Sequence, residues 1–495
     1  MTDRPNVLWI MADQLRFDYL SCYGHPHLHT PHIDALAARG VRFTNAYVQS
    51  PVCGPSRMSA YTGRYVRSHG STWNGMPLRV GEPTLGDHLR EVGARAVLVG
   101  KTHMTADAEG MAWLGIDPKS EIGVRVSECG FEPLERDDGL HPDSARQQWS
   151  AYDDYLVSHG FESENPWEDF ANSGLDADGE LLSAWLLKNS RLAANVPEEH
   201  SETAYMTNRA IDFMKEATAD GRPWMCHLSY IKPHWPYIVP APYHDMYGRN
   251  QIVSAVRHPD ERKDPHPVYE AFMSNAIGQA FSRDDVREKV IPAYMGLIKQ
   301  CDDELGRLMK YLAETGRLDD TLIVPTSDHG DYLGDHWLGE KDLFHEQSVK
   351  VPLIVVDPSP EADATRGTVC DELVEQIDLA ATFIEASGGK VPGHIVEGRS
   401  LAPFLRGETP EEWRDFAVSE YDYSATPMAV KLGVEPKDAR LFMIADKRWK
   451  FMHAEGGMRP MLFDMENDPD EYVDLGASAD HADIVDMMYR RLAVW

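Results

Sequence analysis

The chain has 495 residues, 42% of them hydrophobic and 9% aromatic, which is enough for one large core with a smaller unit beside it. Its 48 basic and 80 acidic side chains give a formal net charge of −32, which repels phosphate backbones and anionic lipid heads and argues against nucleic-acid or membrane-surface binding. No stretch approaches ~20 consecutive apolar residues, so no bilayer span is expected, and six scattered cysteines make no disulfide framework.

The opening residues run directly into a short apolar segment, 7–11, too brief for a secretory leader, so a cytoplasmic location is expected. That segment reads as a first strand ending at Asp13-Gln14. Thr30-Pro31 then reads as a helix N-cap with proline in the first position, and Gly40 as the stop. Cys53 precedes Pro55, and 56–65 reads as a helix entry. Thr84 to Asp87 resembles a capping box, Gly93 ends that helix, and 94–100 follows as a buried strand.

Residues 105–200 are acidic, turn-rich and weakly periodic, as expected of an insertion over the sheet edge that shapes a substrate mouth. A helix starting near Ser201 would place Tyr205, Met206, Ala210, Phe213 and Met214 on one face. Further strands are expected at 224–230, 321–326 and 352–356. Strands alternating with helices predict an α/β fold around a large, mostly parallel central sheet. After 406–410 the pattern changes to short strands such as 441–445 and 449–453. The expected division is therefore an α/β domain over 1–408 and a small C-terminal α+β subdomain over 409–495.

Ligands of open α/β sheets sit beyond the carboxyl ends of the strands. Asp13 ends the first strand, and Asp328-His329 follow the strand near 321–326, so these three could meet at one edge around a divalent cation. Oxygen donors favour Ca²⁺, Mg²⁺ or Mn²⁺, and one imidazole shifts weight toward Mn²⁺. Taken singly, Asp13 could equally cap a turn and Asp328-His329 could be a solvated loop. A thiol at Cys53 would face the positive end of a helix, where thiolates are stabilised. The alternative is a buried packing cysteine. Arg57 lies four residues along, a spacing that does not fit the Cys-x₅-Arg loop of tyrosine-phosphatase-like enzymes.

Cys53-x-Pro55-Ser56-Arg57 resembles the sulfatase signature. The resemblance continues in order through Gly100-Lys101-x-His103, Lys232-Pro233-His234, Asp328-His329-Gly330 and Lys341. It closes with Leu462-Phe463-Asp464 and Asp468-Pro469. It implies an alkaline-phosphatase-like fold and a Cys53 oxidised to formylglycine by a formylglycine-generating enzyme. The hydrated aldehyde would attack the sulfur of a small-molecule sulfate ester, and its second hydroxyl would then release the sulfate.

The resemblance further implies one Ca²⁺ or Mn²⁺ held by Asp13, Cys53, Asp328 and His329, with Gln14 as a further ligand or an outer partner. Arg57 would stabilise the ionised diol. Lys101, His103, His234 and Lys341 would surround the sulfuryl oxygens and supply a proton, and Asn74 would add an oxygen contact. Lys101 and His103 stand two apart at a strand end, where an extended backbone points both the same way. Each of these side chains alone could be an ordinary surface or turn residue, and Lys232 is expected to be structural or to stand at the rim.

Many sulfatases carry two adjacent aspartates where this chain has only Asp13 before Gln14. That resembles the branch holding choline sulfatases, phosphonate monoester hydrolases and related arylsulfatases, in which homodimers or homotetramers are expected. The Lys101/His103 pair favours sulfate-ester hydrolysis of arylsulfatase type. The alternative is a phosphonate monoester or phosphodiester hydrolase with the same nucleophile, and a non-catalytic relative is disfavoured by the complete set of site residues.

Overall fold

The computed structural model describes residues 4–139 and 149–495. The first three residues, and 140–148 within the expected 105–200 insertion, lie outside the described residues.

Among the described residues, ten strands precede residue 400: β1 (Asn6–Asp13), β2 (Val41–Tyr47), β3 (Arg95–Gly100), β4 (Glu132–Arg136), β5 (Ser173–Leu175), β6 (Leu181–Ser183), β7 (Trp224–Pro233), β8 (Thr321–Ser327), β9 (Leu353–Val355) and β10 (Thr368–Glu375). Eight of them form one sheet in the order β10-β2-β9-β8-β1-β7-β3-β4, and only β9 runs antiparallel to its neighbours. β5 and β6 pair as a separate hairpin within the insertion.

Every residue of β1, β7 and β8 is buried, so these strands need near-continuous apolar runs rather than alternation. Successive side chains of β1 feed two different cores. Val7, Trp9 and Met11 pack with α2 (Cys53–Thr62), α3 (Leu85–Glu91) and α6 (Asp378–Ala386) through Met58, Tyr61, Leu89 and Phe383. Leu8, Ile10 and Ala12 pack with α1 (Pro31–Arg39), α4 (Glu202–Asp220) and α5 (Asp284–Glu314) through Ile33, Phe213 and Tyr294. Helices thus cover both faces, as the period-2 geometry of a buried strand requires.

The caps follow the sequence in part. Thr84 and Asp87 form the capping box of α3, and the Ser201 side chain accepts from the Ala204 N–H at the start of α4. Thr30, in contrast, does not cap α1, because its hydroxyl bonds Ser21. Asp302 of α5 accepts from the His32 and Ile33 N–H groups instead, so a tertiary partner satisfies donors that a local cap was expected to meet.

A second, antiparallel sheet contains β11 (Ala417–Asp422), β12 (Arg440–Ala445), β13 (Trp449–Ala454) and β14 (Met461–Asp464). Val418, Ile444, Phe451 and Leu462 pack under α7 (Ala482–Val494) through Met488. The opposite face, with Ala417, Tyr421, Leu441 and Met443, joins the core on the α2 side of the large sheet. This sheet therefore forms a wall beside the start of α2. No described helix is long and apolar enough to cross a membrane.

Candidate active site

The carboxyl ends of the central strands meet at one edge of the large sheet. Asp13 closes β1, Asp328 and His329 follow β8, His234 follows β7, and Lys101 and His103 follow β3. Cys53 arrives from the other direction as the first residue of α2, three residues before the expected helix entry at Ser56. Its side chain therefore stands at the positive helix end itself. Gly54, next in the helix, donates its N–H to Asn74 Oδ1 at 2.8 Å. Asn74 so satisfies a donor at the start of α2 and fixes the chain beside Cys53.

One donor atom from each of Asp13, Cys53, Asp328 and His329 lies within 4.8 Å of all the others, and all four residues are buried. Cys53 Sγ is 3.0 Å from His329 Nε2 and 3.9 Å from Asp13 Oδ1. The His329 Nδ1–H donates to the Gly330 carbonyl at 2.9 Å, which orients the ring and turns Nε2 toward the other three donors. Burial opposes charge on this imidazole, but the Asp328 carboxylate and the Cys53 sulfur outweigh it and raise its pKa to about 9. Two carboxylates, one sulfur and an imidazole packed this closely call for positive charge, and their donor set fits a divalent cation.

The thiol is tuned in the same way. Burial would raise the Cys53 pKa, yet the charges of Lys341, Lys101 and His329 and a hydrogen bond with His103 hold it well below the ordinary thiol value. Burial and the neighbouring sulfur push Asp13 upward. Lys101, His234 and Arg57 reverse this and hold the carboxyl well below the usual range.

Arg57 is fully buried and braces both carboxylates. Its Nε donates to Asp328 Oδ2 at 2.7 Å and its Nη2 to Asp13 Oδ2 at 3.3 Å. Its Nη1 donates to the Lys101 carbonyl at 2.8 Å and to Ser229 Oγ at 2.7 Å. The guanidinium thus ties β1, β3, β7 and β8 together behind the nucleophile.

Lys101 forms a buried ion pair with Asp13. The extended backbone expected for Lys101 and His103 is not what aligns them, because φ is +107° at Gly100 and +55° at His103. The chain turns sharply, and Asp138 Oδ1 pins the turn by accepting the Thr102 and His103 N–H groups at 2.9 Å each. A Cβ at Gly100 would lie 2.0 Å from the Ser229 carbonyl oxygen. Gly100→Ala is therefore expected to destabilise the protein by about 2–4 kcal/mol and to lower kcat/KM in the fraction that stays folded. Thermal unfolding and assays on the folded fraction would check this, and an unchanged melting temperature would contradict it.

His234 and Lys341 form a pair opposite. Lys341 Nζ donates to His234 Nε2 at 2.9 Å and to Gln14 Oε1 at 2.8 Å. The His234 Nδ1–H donates to the Trp235 carbonyl at 2.5 Å. Burial and the Lys341 charge lower the His234 pKa to about 4, so this imidazole is neutral. Gln14 passes the arrangement on, with its Nε2 donating to Asp331 Oδ2 at 2.6 Å beside the Tyr237 hydroxyl. Of the two roles expected for Lys232, structural or rim, its contacts fit the first: the buried ammonium donates to Asn172 and to the Pro236 carbonyl.

Asp331, Tyr237, Asp138 and Ser229 were not singled out from the sequence. Only Asp331 carried a hint, two residues after the Asp328-His329 motif. The segment that bears Lys341 is unusual in its backbone: Leu333, His336, Trp337, Glu340 and Asp342 all have positive φ. Such conformations persist only where surroundings over-determine them. Arg16 supplies part of that restraint, donating to Asp335 and to the Asp331 and Tyr332 carbonyls.

The arrangement has counterparts among known proteins. A family model described as Sulfatase matches residues 5–389, and one described as N-sulphoglucosamine sulphohydrolase, C-terminal, matches 334–494. The multifunctional alkaline phosphatase superfamily protein PehA of Trinickia caryophylli is 32% identical over 520 residues, covering 99% of this chain and 95% of that one. An arylsulfatase of Clostridium perfringens is 27% identical over 502 residues, covering 99% and 94%. The solved structure of phosphonate monoester hydrolase SpPMH from Silicibacter pomeroyi matches with a TM-score of 0.86 at 29% identity, covering 99% and 94%. With a family model spanning most of its length and this site at the strand ends, the chain belongs to the sulfatase family of hydrolases.

Proposed function

We propose that the protein hydrolyses sulfate monoesters of arylsulfatase type, with a formylglycine made from Cys53 as nucleophile. The observation that carries this reading is the ring of nitrogen donors around residue 53. Lys101, Lys341, His329 and His103 all act on the Cys53 sulfur, and His234 is bonded to Lys341. On a surface with a net charge of −32, this ring concentrates the positive charge that an anionic ester needs.

Maturation by a formylglycine-generating enzyme would give residue 53 a hydrated aldehyde with two hydroxyls, one to attack sulfur and one to eject the sulfate. A divalent cation, Ca²⁺ or Mn²⁺ by its donor set, would be held by Asp13, residue 53, Asp328 and His329 and would supply Lewis acidity. Arg57 keeps the two carboxylates in register. Lys101 and His103 bind sulfuryl oxygens from the β3 side. Asn74 has its amide NH₂ left to offer a substrate oxygen, since its carbonyl oxygen is committed to Gly54. Lys341 is the charged donor that meets the departing alkoxide. His234 orients it, because its own proton lies on Nδ1 against the Trp235 carbonyl.

The likeness to SpPMH and the Gln14 that follows Asp13 favour a second reading, phosphonate monoester or phosphodiester hydrolysis at the same residue. Lys101 and His103 decide between the two. A phosphonate replaces one oxygen by a carbon group that accepts no hydrogen bond, which leaves one of these donors unpaired. That costs ~1–3 kcal/mol, or roughly tenfold to a hundredfold in rate. We expect a higher kcat/KM for an aryl sulfate than for a phosphonate monoester, and His103→Thr should narrow the ratio by lowering the sulfate rate. A wild-type preference for phosphonate, or a ratio unmoved by the substitution, would overturn the assignment.

A further inference from the structure

The second sheet is covered over only part of its outer face. Val418 of β11, Ile444 of β12 and Phe451 of β13 lie under α7 around Met488. Strand alternation puts Glu420 and Asp422 of β11, Arg440 and Phe442 of β12 and His453 of β13 on that same face, toward its other end. There the end of α7 leaves a cavity of about 310 Å³, walled by Phe442, Tyr489 and Trp495 and by Val66 and Arg67 from the segment after α2. None of the residues placed around Cys53 lines it.

Two charged groups of this cavity lack a counterpart in the protein. Glu420 is 7% exposed. One of its carboxylate oxygens accepts from the Arg67 N–H at 3.0 Å, and the other has no hydrogen-bond partner among the described residues. Burial raises its pKa to about 7 against the pull of that N–H and of the Arg67 and Arg440 charges, so the carboxylate is poorly compensated. The Arg67 guanidinium is engaged elsewhere, lying over the Trp495 ring and donating to the Trp495 carbonyl. Arg440 is exposed and makes no ion pair among the described residues, although Asp422 stands opposite it in the strand register. Since Glu420 pairs in register with Phe442, Glu420 and Arg440 are diagonal neighbours on the sheet, about 7–8 Å apart.

We infer that this cavity binds a zwitterionic α-amino acid with an aromatic side chain, its ammonium on Glu420, its carboxylate on Arg440 and its ring among Phe442, Tyr489 and Trp495. A buried carboxylate and a guanidinium set diagonally call for a ligand that carries both charges, and an α-amino acid presents them from one carbon. The volume lies at the small end of the range for small-molecule sites and admits one ring. A plain amine would face the Arg440 charge and a plain acid the Glu420 charge, so each is disfavoured by repulsion as well as by a missing contact. The floor of the cavity reaches both flanks of the nucleophile. The Glu420 N–H donates to the carbonyl of Gln49, four residues before Cys53, and Thr72, which also lines the cavity, stands two residues before the Asn74 that holds Gly54. A ligand there is placed to act on turnover as an effector, whichever ester class the Cys53 site hydrolyses.

Isothermal titration calorimetry on the whole chain with L-phenylalanine tests the site, beside three analogues that each lack one element. These are 3-phenylpropanoate without the ammonium, 2-phenylethylamine without the carboxylate and glycine without the ring. L-phenylalanine is expected to bind once per chain with a Kd below about 1 mM, and each analogue roughly tenfold or more weakly. Glu420→Gln and Arg440→Gln should each weaken L-phenylalanine by a similar factor. Arg440→Gln alters an exposed side chain, so it decides the matter if Glu420→Gln fails to fold. Cys53→Ser should bind as the wild type does, which separates this cavity from the site at the strand ends. No binding by the wild type at about 10 mM, analogues that bind as tightly, or an affinity that neither substitution moves overturns the site. Saturating L-phenylalanine should also change kcat by about twofold or more on whichever ester the wild type hydrolyses, and should leave Arg440→Gln unaffected. Binding with an unchanged kcat upholds the site and overturns the effector role.

Discussion

Cys53→Ser is expected to lower kcat by roughly three orders of magnitude or more while leaving the fold intact. Serine fits the position sterically: residue 53 is the first residue of α2, is 1% exposed, and sits against His329 and Asp13. The hydroxyl also keeps one oxygen in the donor group. What it lacks is the second oxygen. A hydrated formylglycine that has taken up sulfate still has a hydroxyl whose deprotonation breaks the carbon–oxygen bond and frees the sulfate. A serine sulfate has no such exit and must wait for direct hydrolysis. The variant should therefore react at most once, and intact-protein mass should show one added sulfuryl group per chain after exposure to an activated aryl sulfate. In the wild-type protein, peptide mass spectrometry should show the aldehyde or its hydrate at position 53. Full activity in protein whose residue 53 is entirely thiol would sink the assignment, as would steady turnover by the serine variant at the wild-type rate.

The ligand-like residues were legible in the sequence because each lies at a place defined by local rules. Asp13 and Asp328-His329 sit at the ends of apolar runs, and an open α/β sheet collects such ends along one edge. Cys53 has its proline and arginine in fixed spacing within one helix. The sequence was less informative wherever a long-range partner decides the outcome. Gln14 could have faced the acidic group or turned away, and its amide oxygen accepts from Lys341, 327 residues distant. Arg57 was expected to act on the diol; its charge does interact with Cys53, but nothing in the sequence signalled that Asp328, Asp13, Ser229 and the Lys101 carbonyl would take four of its five N–H donors. The Lys101/His103 pair does converge on Cys53, but through a turn set by Gly100 and Asp138 rather than by strand alternation. The same limit explains Thr30, whose capping position is overruled by Asp302 from a helix distant in sequence.

Removing one carboxylate of the acidic group should abolish cation binding and activity together, and the choice of carboxylate matters. Asp328 is the more embedded of the two: it accepts from Arg57 Nε, from the Gln14 N–H at 3.0 Å and from the His329 N–H at 3.0 Å. Asp328→Ala would leave the buried Arg57 without its main anion, and breaking a buried pair on one side costs about 3–5 kcal/mol. Lost activity in that variant would mix instability with lost metal. Asp13 pairs with both Lys101 and Arg57, so Asp13→Ala shares the defect: Arg57 retains Asp328, but the buried Lys101 ammonium loses its anion. Asp13→Asn is the cleaner probe, because it keeps the shape and one oxygen while removing the charge. We expect elemental analysis to find about one Ca²⁺ or Mn²⁺ per chain in the wild type and almost none in Asp13→Asn and Asp328→Ala. The turnover should drop roughly a thousandfold or more in each, and Asp328→Ala should melt lower than Asp13→Asn, which keeps an oxygen toward Lys101. Chelation of the wild type should reproduce the loss, and Ca²⁺ or Mn²⁺ should restore it. That reversal separates a missing ion from a damaged fold. Wild-type turnover by protein stripped of divalent metal would show that Asp13, residue 53, Asp328 and His329 are gathered for some other purpose.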